Sequence, residues 1–273
     1  MAQTTLARAI AQGDRLNRLT LELFERYEAE LEDQIRTGDA SAREDASRTL
    51  EALIYRSLTD LTFASAASWT VWALSATGAT IKGNWSRHQP VVQRYLAEVG
   101  KTPPTDAVFV ALNWGLAAGM PTDDWANFHG GSRDYFLADA IRGQVGGDGS
   151  DTTYAPLPRF RGVYITDFYK GLPTSDGGVL TSIAGDDVTE LTRLSGDLLA
   201  QELRLLGATS ETVLVPLGRS ARDVVVPFCD RHGYATPRDE SGGPLVVDHY
   251  SYVQRHASFY EKLARAHATL RPL

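Results

Sequence analysis

The chain has 273 residues, of which 43% are hydrophobic and 22% charged, with a formal net charge of −7. These proportions exclude a disordered or fibrous chain, and the acidic balance excludes coating of nucleic acid through bulk positive charge, though not a locally basic groove. Cys229 is the single cysteine, which excludes an internal disulfide and a cysteine-ligated iron–sulfur cluster.

From the N-terminus, Leu6, Ile10, Leu16, Leu19, Leu23, Tyr27, Leu31 and Ile35 recur at helical steps, which predicts a long helix from Thr4 to Arg36 that stops at Gly38. Ser41-Ala-Arg-Glu44 has the form of a capping box and opens a second helix through Leu50, Leu53, Ile54, Leu58 and Leu61, reaching as far as Leu74. A shorter helix is expected from Pro90 to Val99, and Lys101-Thr-Pro-Pro-Thr105 reads as a linker. Trp69, Trp72 and Trp85 read as packing residues between this helical region and the remainder of the chain.

Beyond the linker the pattern changes. Ala107 to Leu112 is a short apolar run of the kind that forms a strand buried on both faces. Helix is expected from Arg133 to Arg142, a loop from Gly146 to Thr153, and a second strand from Gly162 to Thr166. Asp186 or Asp187 caps a helix carrying Leu191, Leu194, Leu198, Leu199, Leu203 and Leu206, closed by Gly207. A third strand spans Thr212 to Leu217, with Pro216 marking its end. A helix from Ser220 to Arg231 ends at Gly233, Leu245 to Val247 forms a fourth strand, and Val253 to Leu270 a last helix. This alternation implies a three-layer α/β/α fold with a central four-stranded, mainly parallel sheet over residues 106–273. Residues 1–105 form an N-terminal helical extension.

Ligands of such sheets bind at the carboxyl ends of the strands. The residues there are Asn113-Trp-Gly115, Asp167-Phe-Tyr-Lys170, Gly218-Arg-Ser220 and Asp248-His-Tyr-Ser251. None of these segments is a glycine-rich phosphate loop, and the histidines show no metal-ligand spacing, so neither cofactor nor metal is expected.

Taken in order, these segments resemble the uracil-DNA glycosylase superfamily, and within it the mismatch-specific uracil/thymine branch. Ala111-Leu-Asn-Trp-Gly-Leu-Ala-Ala118 is similar to that branch's Gly-Ile-Asn-Pro-Gly-Leu. Phe128-His-Gly-Gly-Ser-Arg-Asp-Tyr-Phe136 resembles the branch's next glycine-rich stretch. Ile165-Thr-Asp-Phe-Tyr-Lys170 is similar to Ile-Thr-Asn followed by two hydrophobic residues and Lys. Val213 to Ala221 resembles the third strand and its turn, and His249-Tyr-Ser-Tyr252 stands where the family has His-Pro-Ser-Pro. The resemblance covers roughly Asp106 to Leu263.

The resemblance implies base excision from DNA, in which a nucleotide is extruded and the bond between its base and C1′ is hydrolysed. Asn113 matches the residue that positions the attacking water, and an amide can orient water without removing its proton. His249 matches the histidine that stabilises negative charge on the departing base. Phe128 corresponds to a ring that stacks on the base, with Trp114 and Tyr250 adding aromatic surface where the family has proline. Lys170, Arg219, Ser220, Ser251, Tyr252 and Arg255 are the DNA-contacting candidates, Tyr252 or Arg255 filling the vacated stack.

Asp167 stands where the family has an asparagine. An ionised carboxylate offers only acceptors. It suits the exocyclic amine of a cytosine-type base and repels the O4 of uracil. The expected target is therefore a damaged or modified base, a modified cytosine before plain uracil, with defence against viral modified DNA as one setting and repair as another. Two alternatives stand beside this reading: an inactive nucleic-acid-binding relative, and a serine hydrolase in which Gly218-Arg-Ser220 imitates a nucleophile elbow and His249 is the base. The remaining expectations are a monomer in the cytoplasm, with no membrane partner, since no apolar run reaches the ~20 residues of a membrane span and the N-terminus lacks a signal-like apolar core.

Overall fold

The computed structural model describes residues 29, 31–44, 46–47, 67–70, 104–113, 128, 134–144, 154–169, 185–250 and 256–270. The expected helix from Pro90 to Val99 and most of the helix from Thr4 lie outside them. Helix 31–37 ends as expected at Gly38, whose N–H donates to the Gln34 carbonyl over 2.8 Å. The next helical segment begins at residue 40, not 41. Its cap is Asp39, whose Oδ1 accepts the N–H of Ala42 at 2.9 Å. The Asp39 carboxylate, two residues upstream of Ser41, captures the free N–H of Ala42 in place of the Ser41 box.

The sheet contains β1 (Ala67–Trp69), β2 (Ala107–Asn113), β3 (Tyr164–Tyr169) and β4 (Val213–Pro216), in the order β1-β3-β2-β4. β2 runs parallel to both of its neighbours, while β1 is antiparallel on the outer edge of β3. The strand β1 corrects the expected helix reaching Leu74. Its hydrogen bonds come from β3, far away in sequence, so local helical periodicity carries no sign of it. Leu245 to Val247 is likewise not a full strand. Val247 makes a single parallel bridge to Leu217, and the segment before it is tied to a small hairpin in which Arg238 opposes Pro244. Proline brings no N–H to a ladder, which limits pairing at that point.

Among the described residues, four helices pack around the sheet: α1 (Asp134–Arg142), α2 (Val188–Leu205), α3 (Arg219–His232) and α4 (His256–Ala268). Strand alternation sorts the core into two halves. Val108, Val110, Tyr164 and Leu214 face α2 and α3, packing with Leu199, Leu203, Val225 and Phe228. Ala107, Phe109, Ile165, Val213 and Val215 face α1 and α4, packing with Leu137, Ile141, Phe259 and Leu263. Helices thus cover both faces of the parallel strands. Leu31, Ala46 and Ala67 belong to the α2–α3 half, so chain from the N-terminal region contributes both a strand and core contacts.

The chain leaves β2 through α1 to reach β3, then crosses through α2 to β4 on the other side of β2. The connections therefore diverge between β2 and β4, which makes their carboxyl ends the switch point of the sheet. Among the described residues no helix is long and apolar enough to cross a membrane.

Candidate functional site

β3 runs three residues beyond the expected strand, through Asp167, Phe168 and Tyr169. Asp167 is therefore a strand residue opposite Ala111 of β2, only 1% exposed, and not the first residue of a loop. The extension follows from pairing: β2 itself continues to Asn113, whose partner is Tyr169. Asp167 alternates with Ile165 and Val163, and Asn113 alternates with Ala111 and Phe109, so both belong to the α1–α4 face. Leu112 packs on the opposite half, as that alternation requires. Tyr169 ends its strand by turning to the α2 side, where its hydroxyl lies 2.6 Å from Thr192 Oγ1.

His249 reaches the same edge from β4. Leu217 N–H donates to the Val110 carbonyl at 2.9 Å, and Gly218 N–H to the Val247 carbonyl at 2.7 Å, which closes the turn after β4 against the His249 segment. Gly218 has φ 98° and ψ 161°, a conformation essentially restricted to glycine. A Cβ placed on it would lie 3.3 Å from the Cβ of His249. The turn is thus shaped so that His249 can sit directly over the start of α3.

The imidazole of His249 stacks on the ring of Tyr250, with centroids 4.6 Å apart and planes at 22°. Tyr250 is itself buried in the α1–α4 core. Burial pushes the His249 pKa down to about 4, so the ring is neutral at physiological pH and carries one N–H. Such a ring can donate a hydrogen bond to a developing anion but brings no charge of its own. Asp248, the preceding residue, accepts hydrogen bonds at both carboxylate oxygens from Lys262 of α4, at 2.9 and 2.7 Å.

Phe128 is the one non-glycine residue with positive φ among those described, at 67°. It is half-buried and packs against the α1–α4 core. A bulky side chain in the left-handed region is held there by its surroundings at a cost of order 1–3 kcal/mol, and such strain concentrates at functional sites. Arg219 and Ser220 are both exposed in the first turn of α3. The positive φ of that turn falls on Gly218, whereas Ser220 has an ordinary helical backbone. A nucleophile elbow needs the serine itself on the strained turn, so this geometry speaks against the hydrolase alternative. Trp114, Lys170, Ser251, Tyr252 and Arg255 lie outside the described residues.

Asn113 and Asp167 therefore share one face of the sheet toward the carboxyl ends of β2 and β3, His249 and Tyr250 sit beside the turn that closes β4, and Phe128 packs against the core on that face. Three contributions had no signal in sequence. Lys262 stands fourteen positions from Asp248 and joins it only through the packing of α4. Gly218 read as part of a turn, with nothing to indicate its approach to His249. Glu202 of α2 is 1% exposed beneath the sheet and accepts from Tyr164 (2.8 Å) and Thr166 (3.0 Å), bracing β3 from the face opposite Asp167. Cys229 is buried in the α2–α3 core with its thiol pushed up to about 12, which leaves it inert as a nucleophile. Among the described residues no group of three or more His, Cys, Asp or Glu could hold a metal ion.

Fold and site together define an α/β protein with a polar, histidine-bearing cluster at the switch point of a parallel sheet. No protein-family model, curated protein or solved structure matches the chain.

Proposed function

We propose that the chain is a monofunctional DNA glycosylase that hydrolyses the N-glycosidic bond of a modified base, with a modified cytosine as its target. What supports this reading is the strand alternation that puts Asn113 and Asp167 on one face toward the carboxyl ends of β2 and β3, with a neutral His249 on the segment held against the turn after β4. In this reaction water oxygen bonds to C1′ of the sugar, the C1′–N bond breaks, and the base leaves with the bonding pair. The water's proton ends on the departing base, and an abasic sugar remains.

Asn113 orients the water through its amide, which donates and accepts at once. His249 donates its ring N–H to the base as negative charge accumulates there, and a half-buried environment strengthens that bond. Asp167 presents carboxylate oxygens to an exocyclic amine. Phe128 stacks on the extruded base, Trp114 adds aromatic surface to the base-binding side, and Tyr250 backs the imidazole. Lys170, Arg219, Ser220, Ser251, Tyr252 and Arg255 contact the DNA strand around the extrusion point. Excision of modified cytosines suits a defence against viral DNA, and a role in repair follows if the modification is damage.

The test is single-turnover formation of abasic sites on DNA carrying uracil, mismatched thymine, deaminated purines and modified cytosines. A modified cytosine is expected to react fastest, and Asn113→Ala to remove catalysis with DNA binding retained. Equal rates on uracil would sink the choice of base. Binding without abasic product on the whole panel would favour an inactive relative, and labelling of Ser220 by a fluorophosphonate would favour a hydrolase.

A further inference from the structure

We infer that Lys262 is a positioning residue of the site, which fixes His249 by clamping the neighbouring Asp248 to α4. This rests on the reading that His249 acts in the site, but its consequences for the imidazole are measurable without any substrate.

His249 is held from three directions. Gly218 lies beneath it, so close that a side chain there would bring its Cβ to 3.3 Å from the His249 Cβ. The ring of Tyr250 stacks on one face of the imidazole, and Tyr250 joins the core to which α4 contributes Phe259, Tyr260 and Leu263. The third hold is Lys262, whose Nζ donates to both oxygens of Asp248 at 2.9 and 2.7 Å. Val247, on the other side of Asp248, is fixed to the Gly218 N–H. Asp248 thus ties the segment between Val247 and Tyr250 to α4 by an ion pair.

The pair is partly exposed, 35% for the Lys262 side chain and 43% for Asp248. An ion pair in that setting adds little to global stability. Its geometry nevertheless matters. A carboxylate held through both oxygens cannot rotate freely, and the backbone that carries His249 is therefore restrained in the direction along the sheet edge. Small displacements of a group that meets a reacting atom cost far more in rate than in stability.

The experiment uses the full chain with selectively carbon-13-labelled histidine, the His249 ring signal being assigned from its loss in His249→Asn. In Lys262→Met the His249 ring resonance is expected to move and broaden at neutral pH, with the urea midpoint nearly unchanged. Lys262→Arg is expected to restore the wild-type resonance, because guanidinium also donates twice to a carboxylate. On whichever DNA substrate the wild type processes, Lys262→Met is expected to lower the single-turnover rate by about tenfold with KM unchanged, as for an interaction realised in the transition state. An unmoved His249 signal in folded Lys262→Met overturns the inference. A moved signal that Lys262→Arg fails to restore also overturns it, since the change would then come from lost packing. If no DNA substrate is processed but the ring signal moves and is rescued, the glycosylase reading fails and the clamp stands.

Discussion

On the proposed reading, Asp167 sets the choice of base. Its carboxyl lies within a strand, beside apolar neighbours, where exchange for an amide changes donors and acceptors with almost no change in volume. Asp167→Asn is therefore expected to keep the fold and to shift preference from a base with an exocyclic amine toward uracil by at least about tenfold, the scale of a difference of about 1.4 kcal/mol. The ratio of excision rates on the two substrates checks it; an unchanged ratio would remove Asp167 from base recognition. Only the residue type was legible in the sequence, which put Asp167 after a strand and not within β3. Burial was not, because the length of β3 depends on how far β2 runs beside it.

At the scale of elements, the turn from β4 into α3 and the contact of α2 with β3 carry the site from opposite sides. Gly218→Ala puts a Cβ into a backbone conformation that only glycine occupies easily, 3.3 Å from His249. A loss of about 1–3 kcal/mol in urea unfolding is expected, together with a slower reaction as His249 is displaced. Tyr164→Phe removes one of the two β3 hydroxyls that bond Glu202. Poorer satisfaction of a buried carboxylate is expected to cost about 1–3 kcal/mol, read from the same unfolding curves, while Tyr164→Phe and Thr166→Val together should be less than additive. The elements that the sequence predicts best, α1 to α4, are those with strong helical periodicity and clear stops. Gly207 and Gly233 both take the left-handed conformation their positions after helices suggest. The strand β1 and the shrinkage of Leu245–Val247 to one bridge were illegible, since each depends on a partner strand that is distant in sequence.

For the molecule as a whole, burial of His249 links stability to pH. Its pKa is about 4 in the folded chain against an ordinary 6.5, so between those values the unfolded chain binds a proton that the folded chain refuses. The stabilising contribution is complete above about 6.5 and is lost as pH falls toward 4, by up to roughly 3 kcal/mol. His249→Phe is expected to flatten this part of the profile. The slope is reduced and not abolished, because His232 and His267 are also shifted downward by burial. Chemical denaturation at a series of pH values measures the difference, and parallel profiles for variant and wild type would contradict it. Composition, helical periodicity and the alternation of strand with helix were enough by themselves to determine an α/β chain with parallel strands and to single out Asn113, Asp167 and His249 as candidates. These are local properties, written in neighbouring residues. That Asn113 and Asp167 share one face, that Asp167 is enclosed by its strand, and that Lys262 and Gly218 hold His249 were decided only in the tertiary structure. Strand register and helix docking bring together residues from fourteen to more than a hundred positions apart, and no local pattern encodes such contacts.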